Sequence, residues 1–401
     1  MIKEEAMKKI LYIVIALMAV SMISEKLYAI PAFARKYRMS CQTCHTPFPK
    51  LKAYGDEFAG NGFVLSDQDA PRYYVDTGDQ ELSLIRDLPL AIRLEGYVTY
   101  NNKHSKRSDF SAPYILKLLS GGAITENIAY YFYFFFSERG EVAGVEDAFI
   151  MFNNVFDSEL DVYVGQFQVS DPLFKRELRL TFEDYSIYKT SVGLSQANLA
   201  YDRGLMLTYG FESGTDVIVE VLNGAGIGAA NDFKIFDTDR HKNLFGRISQ
   251  DIGEYVRIGA FGYLGKEELQ NDFGSITTNK VQMFGPDVTL SYKGIVELNL
   301  QYVQRKDEDV FLSGADLQAT PSVETKGAMA ELVYQPKGDE SEWYAVGMFN
   351  WVDSEQNDLD YKAGTVHLGY MLKRNIRLVG EYSYNFAKNY GTVGVGFVSA
   401  F

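Results

Sequence analysis

From about residue 88 to the C-terminus, apolar and polar side chains alternate in one short segment after another. Only an extended chain can use a period of two, because successive side chains then point to opposite faces. Ile92, Leu94, Val98 and Tyr100 share one face of such a segment, while Arg93, Glu95, Tyr97 and Thr99 share the other. Val296, Leu298, Leu300 and Tyr302 alternate with Glu297, Asn299 and Gln301. Leu378, Tyr382 and Tyr384 alternate with Arg377, Glu381, Ser383 and Asn385.

A soluble sandwich would bury the apolar faces in a shared core, whereas a membrane barrel turns them to lipid and keeps the polar faces in its lumen. Three features favour the barrel. The segments run about ten residues, the length of a tilted strand crossing a bilayer. Aromatics make up 14% of the chain, with 28 Tyr and 27 Phe, and many fall at segment ends where an interfacial girdle sits. The last nine residues, Val393 to Phe401, form an alternating strand closed by Phe, similar to the assembly signal of bacterial outer-membrane proteins. The expected fold is therefore all-β: an antiparallel transmembrane β-barrel of about sixteen strands over residues 85–401.

The joins agree with that fold. Short ones near 121–124, 154–157, 211–214, 251–254, 292–294, 337–340 and 373–375 alternate with longer ones. The longer ones lie near 102–111, 170–201, 225–241, 264–277, 306–324 and 353–360. Short periplasmic turns and long outer loops are what such a barrel requires. The longest apolar run of the mature chain, Ile128 to Phe136, is strand-sized and excludes a helical membrane protein.

The N-terminus reads as an export signal over residues 1–29. Lys8 and Lys9 precede an apolar run from Ile10 to Met22, and Leu27-Tyr28-Ala29 offers a small residue at the cleavage point. Met7 is an alternative start, and an uncleaved anchor is the alternative fate of the run. The net charge is −14, and loss of residues 1–29 would leave −15. An anionic chain without a basic patch is unsuited to nucleic acid and mildly concentrates cations.

Only two cysteines occur, in Cys41-Gln42-Thr43-Cys44-His45. An exported pair suggests a disulfide, but this spacing is the attachment signature of c-type haem. Two thioethers fix the porphyrin and the adjacent imidazole meets the iron. A thioredoxin-type CxxC would sit in a βαβ setting, and a structural zinc site would need further ligands. Cys41 and Cys44 are thus the expected haem anchors and His45 the proximal iron ligand of one covalent haem c, in a cytochrome segment over 30–75. Phe48, Leu51, Tyr54 and Phe58 recur at near-helical intervals, suited to covering a haem face.

The sixth ligand is open. Met39 lies too close to the attachment point to reach the far face. His104 and His241 fall on expected outer loops. His367 lies between Val366 and Leu368 and should face the lumen, which makes it the distal candidate, with Met329 second on the same logic. A plain lumen polar residue is the alternative for each, and a five-coordinate iron is another outcome. The join opened by Asp171 to Arg179 is expected to fold into the lumen, with Lys175, Arg176 or Arg179 facing the haem propionates. Its alternative is an external loop with ordinary ion pairs. Gly224 to Gly228 lacks dinucleotide-binding spacing and reads as a loop. Asp307-Glu308-Asp309 reads as solvated loop surface.

The stretch Pro31-Ala32-Phe33-Ala34-Arg35 through Cys41-x-x-Cys44-His45, then Phe48-Pro49-x-Leu51, Tyr54-Gly55-x-x-Phe58 and Asn61-Gly62-Phe63, resembles the fused outer-membrane cytochrome–porins. The best-known members are the monohaem outer-membrane cytochromes of Fe(II)-oxidising bacteria. The detailed likeness covers about 35 residues, and over the rest it extends only to a barrel of comparable size. It implies a haem segment plugging the barrel, in its lumen or on its periplasmic side. Electrons would pass from an extracellular donor such as Fe²⁺ to a periplasmic cytochrome, as in an Fe(II):cytochrome c oxidoreductase. Outer-membrane lipid and the outer-membrane assembly machinery are the other partners implied. Arg38 stands where the iron oxidisers tend to carry a small residue, and Lys36 and Tyr37 also depart from their pattern, so the resemblance favours "outer-membrane cytochrome" over "iron oxidase". A diffusion or anion-selective porin with a structural or regulatory haem is the competing reading, and a haem sensor or peroxidase the third.

Overall fold

A computed structural model describes residues 32–37, 39–65, 78–79, 82, 88–103 and 108–401. The export signal, His104 and Arg38 lie outside the described residues, as does most of the stretch leading into the barrel.

The alternating segments form sixteen strands. They are β1 (Leu90–Asn101), β2 (Ser108–Ala123), β3 (Ile128–Glu138), β4 (Gly144–Val155), β5 (Leu160–Gln168) and β6 (Tyr201–Gly210). Then come β7 (Thr215–Leu222), β8 (Asn243–Ile252), β9 (Val256–Gln270), β10 (Ile276–Tyr292) and β11 (Val296–Glu308). The last are β12 (Val323–Tyr334), β13 (Trp343–Ser354), β14 (Tyr361–Lys373), β15 (Ile376–Asn385) and β16 (Tyr390–Ala400). Each pairs antiparallel with its sequence neighbour, and β1 closes on β16 with Arg93 opposite Ala400. Closure gives every strand two partners and leaves no unpaired edge, the condition for a sheet that faces hydrocarbon.

The two faces separate as the alternation demands. On β14, Val366 and Leu368 are 60% and 56% exposed, while His367 between them is 1% exposed. The outer surface also carries Val98, Tyr100, Leu264 and Val395, whereas Arg93, Glu95, Arg247 and Asp287 are buried inside. Lumen charges are paired: Arg247 and Asp287 lie 2.5 Å apart. The strand ends that carry the chain's first and last strand residues are joined by short turns, and the opposite ends by loops.

Three joins differ from expectation. The loop expected over 264–277 shrinks to 271–275, because β9 and β10 continue pairing as far as Ile276 opposite Gln270. Two further outer joins, 139–143 and 386–389, complete the fifteen that connect sixteen strands. Asp307 is not solvated surface. It is fully buried at the end of β11, where Arg305 and Asn279 both donate to its carboxylate.

The 169–200 segment folds back into the lumen. Wall groups capture its backbone. Arg305 donates to the Thr190 and Ala197 carbonyls, and the Glu381 carboxylate accepts from the Phe182 and Glu183 N–H groups. Tyr185 donates to Glu331 and Tyr188 to Gln301. Beneath these contacts Tyr185, Ile187 and Tyr188 join Phe245, Phe261, Met329 and Val352 in an apolar core inside the barrel. At the loop end, Leu194 pairs with the Phe311 carbonyl, and Val192, Val310 and Phe311 are buried together. The loop is a packed stopper rather than a fringe on an open channel.

The N-terminal segment spans the turn end of the lumen. It has a short helix α1 (Ala32–Tyr37), one tight turn over Cys41–Thr43, and a second helix α2 (Ala53–Gly60). One end is tied to the β12–β13 turn, where Lys52 lies 2.6 Å from Asp339 and Thr46 donates to Gln335, and to the start of β11, where Lys50 pairs with Glu297. The other is tied to β3 and β4, where Asn153 donates to the Gly60 carbonyl and Phe63 stacks on Tyr131. Phe58, Phe63, Ala129 and Met151 form a small apolar core between segment and wall.

Candidate functional site

Between the segment below and the 169–200 stopper above lies a cavity of about 1660 Å³. This exceeds the ~300–1,000 Å³ of pockets that enclose drug-sized ligands. Cys41, Cys44 and His45 all line it.

Local geometry aligns those three residues. Ser40 accepts from Gln42 N–H and starts a single turn, and His45 N–H donates to the Cys41 carbonyl at 2.9 Å. Positions i, i+3 and i+4 of such a turn share a face. No disulfide joins the cysteines. Burial pushes both thiols up, the opposite of the lowered pKa that a thiolate exchange pair needs.

His45 is oriented by its neighbours. Its Nδ1 lies 2.9 Å from the Pro49 carbonyl oxygen. A carbonyl only accepts, so Nδ1 carries the proton and Nε2 keeps its lone pair, the arrangement typical of a metal-binding imidazole. Burial lowers the His45 pKa, which favours the neutral ring. Phe48 packs edge-on at 5.3 Å. Gly55 completes the cradle: a Cβ there would run into the Cys44 carbonyl oxygen, so α2 approaches the turn only because position 55 has no side chain.

The rest of the lining sorts into apolar and basic groups. Leu51, Phe58, Phe63, Phe149, Met151 and Tyr163 supply the apolar part. Arg93, Lys117 and Arg179 supply cations around Glu177 of the stopper. The Nε–H groups of Arg93 and Arg179 are buried without a hydrogen bond, that of Arg179 lying 3.7 Å from the Asp184 carboxylate. A pair of thiols and an imidazole on one cavity lining, with apolar side chains and the Arg93 and Arg179 guanidinium groups beside them, would suit a covalently held haem with two propionates. Among the described residues, no group of three or more His, Cys, Asp or Glu is arranged to hold a bare metal ion.

The other expected residues divide. Lys175 and Arg179 line the cavity, Lys175 being 3.0 Å from Asp56 of α2. Arg176 turns away, bonding Asp184 at 2.9 Å over the Tyr201 ring. His367 faces inward, yet both its nitrogens are engaged, Nδ1 with Glu381 at 2.8 Å and Nε2 with Tyr344 at 3.2 Å. It does not line the cavity, and Met329 packs in the stopper core instead. Met39 does not line it either, and His241 lies in the 223–242 loop near Glu268. Tyr54 of the expected haem cover is exposed, since α2 starts only at Ala53, after Pro47 and Pro49.

Sequence reading passed over Arg93 and Lys117 as site residues, and over Met151 and Met206. The two thioethers line the cavity. Met151 lies between Ile150 and Phe152, Met206 between Leu205 and Leu207, so the alternation itself puts them on the inner face.

No protein-family model matches the chain, and no curated protein matches it either. Solved structures do. A loop-deleted OmpT of Vibrio cholerae aligns with a TM-score of 0.55 at 11% identity, over 79% of this chain and 99% of that one. An anion-selective porin from Comamonas acidovorans aligns at 0.54 and 13%, over 79% and 99%. The outer-membrane channel DcaP of Acinetobacter baumannii aligns at 0.53 and 14%, over 79% and 97%. At these identities the likeness is one of fold: the chain is built on the sixteen-stranded barrel of bacterial porins, with its lumen occupied from both ends by its own segments.

Proposed function

We propose that this chain is an outer-membrane c-type cytochrome that moves single electrons between an extracellular donor and a periplasmic carrier. The observation that carries the reading is the convergence of Cys41, Cys44 and His45 on one lumen cavity. A haem bound there supplies one-electron exchange at iron. The chain's own residues do the remainder. Cys41 and Cys44 offer thioether links, His45 an axial nitrogen, and the Pro49 carbonyl fixes that ring. Phe58 and Phe63 belong to the apolar core against which Cys44 packs, while Arg93 and Arg179 offer N–H donors to carboxylates. The packed stopper supports this reading, since a lumen filled by Tyr185, Tyr188 and Phe261 leaves little room for solute flow.

A second reading, a diffusion or anion-selective porin, is favoured by the fold likeness itself and by the basic groups on the cavity wall. Two measurements separate them. The alkaline pyridine spectrum of purified protein should report one haem c per chain, and planar bilayers should show no open, ohmic pore. A haem-free protein that conducts would establish the porin instead. Stopped-flow mixing of the oxidised protein with Fe²⁺ tests the donor: an unchanged haem band would remove iron and leave the cytochrome reading intact.

A further inference from the structure

The outer face of the barrel changes character along β9 to β13. Its apolar row gives way, toward the loop end, at Leu264 on β9, Phe284 on β10, Tyr302 on β11 and Trp351 on β13. The next outward side chains on those strands are Lys266, Gln282, Gln304 and Asp353, and Lys326 on β12 stands between Gln304 and Asp353 in register. Aromatic residues mark the level where hydrocarbon meets headgroups. These strands therefore continue past the hydrocarbon with a polar outer face.

Within that face two lysines oppose each other. Lys266 on β9 stands directly across from Lys280 on β10, and both are exposed. Like charges directly opposite on one sheet face repel. The surrounding charges leave the repulsion in place. Glu308, across from Lys280 on β11, lies 3.7 Å from Lys280 and 2.6 Å from Lys306, so two lysines share one carboxylate. Glu268, next to Lys266 on the same face, is met by Arg240 at 3.8 Å and His241 at 4.0 Å from the 223–242 loop. Asp239 of that loop accepts from the Glu268 and His241 N–H groups. Glu324 lies 3.7 Å from Lys326. Among the described residues, Lys266 has no carboxylate within ion-pair distance.

We infer that Lys266 and Lys280 bind the phosphate of a lipid headgroup in the leaflet at the loop end, with the lipid's chains lying over Leu264 and Phe284. A phosphate between two ammonium groups replaces their repulsion with charge-assisted hydrogen bonds to one shared anion. Gln282 stands opposite Leu264, at the step from apolar to polar, where its amide can donate to headgroup oxygens. The exposed Leu264 and Phe284 favour a lipid over free phosphate, since only a lipid has chains to cover them. A chain of net charge −14 repels phosphates in general, so a headgroup is held where cations face it. This goes beyond electron transfer and does not depend on a haem.

The test uses full-length protein in non-ionic detergent, with diphosphoryl lipid A in mixed micelles as the probe and microscale thermophoresis as the readout. Wild type should bind the probe and bind its dephosphorylated form far more weakly. K266Q/K280Q should bind the probe roughly 30-fold more weakly, the effect of two lysines at a charged membrane surface, with its heat-modifiable band unchanged. K373Q/R374Q, at the opposite end of the barrel, should bind as wild type does. Equal affinity of K266Q/K280Q and wild type, or equal affinity for the two lipids, would overturn the assignment. Displacement of the lipid by an equal concentration of inorganic phosphate would also overturn it, because the site would then take the free ion. Should the double variant fold poorly, K266Q alone should lose about 5-fold, and no loss there would count equally against the proposal.

Discussion

At Gly55 the fold depends on a missing atom, because any Cβ would meet the Cys44 carbonyl oxygen. Gly55→Val should push α2 off the turn at a cost of about 1–3 kcal/mol. The expected outcome is loss of covalent haem stain on a gel, with the barrel's heat-modifiable band unchanged. Glycine at 55 is visible in the sequence, but the carbonyl it makes room for is not, since the approach depends on how the chain turns after Pro49. The same boundary runs through the lumen histidine. Alternation correctly turned His367 inward, yet said nothing of Glu381 and Tyr344, which sit on other strands and occupy both ring nitrogens.

Among elements, the 169–200 stopper hangs on a few buried anchors. Glu381 accepts two backbone N–H groups and holds His367, so its removal orphans three donors. Glu381→Ala should loosen the stopper by about 3 kcal/mol, in the range for breaking a buried charged contact. Faster proteolysis between residues 180 and 190 in detergent would register it, and an unchanged cleavage rate would show that Arg305 and the apolar core suffice. Here length alone was informative. A join of some thirty residues in a compact barrel is too long for a simple connection, and its inward fold was expected. Its packing was not, because Tyr185 and Tyr188 find Glu331 and Gln301 on strands more than a hundred residues later. The strand count was legible for the same local reasons, whereas the ends of β9 and β10 were not. Polar residues such as Asn279 and Glu267 look like loop, but pair with each other inside the wall.

Taken whole, the lumen has two obstructions in series, the N-terminal segment at the turn end and the stopper above it. Resistances in series are governed by whichever remains. Removing residues 32–65 alone, or weakening the stopper with Glu381→Ala and Arg305→Ala alone, should therefore raise bilayer conductance only slightly. Combining the two should raise it by far more than the sum. Additive effects would mean that the two segments obstruct separate paths. No sequence rule shows this arrangement, for it depends on where the unmatched N-terminal residues come to rest against a wall made later.

That order in time has its own consequence. The wall is complete only when Arg93 meets Ala400, and in a chain exported N-terminus first, as the proposed function requires, Cys41 to His45 would emerge some 350 residues earlier. On the proposed reading, residues 41–45 would spend a period in the periplasm beside an unfinished sheet. Any group to be joined to them has a deadline, set by the arrival of β16, after which the enclosure that protects the site also bars its loading.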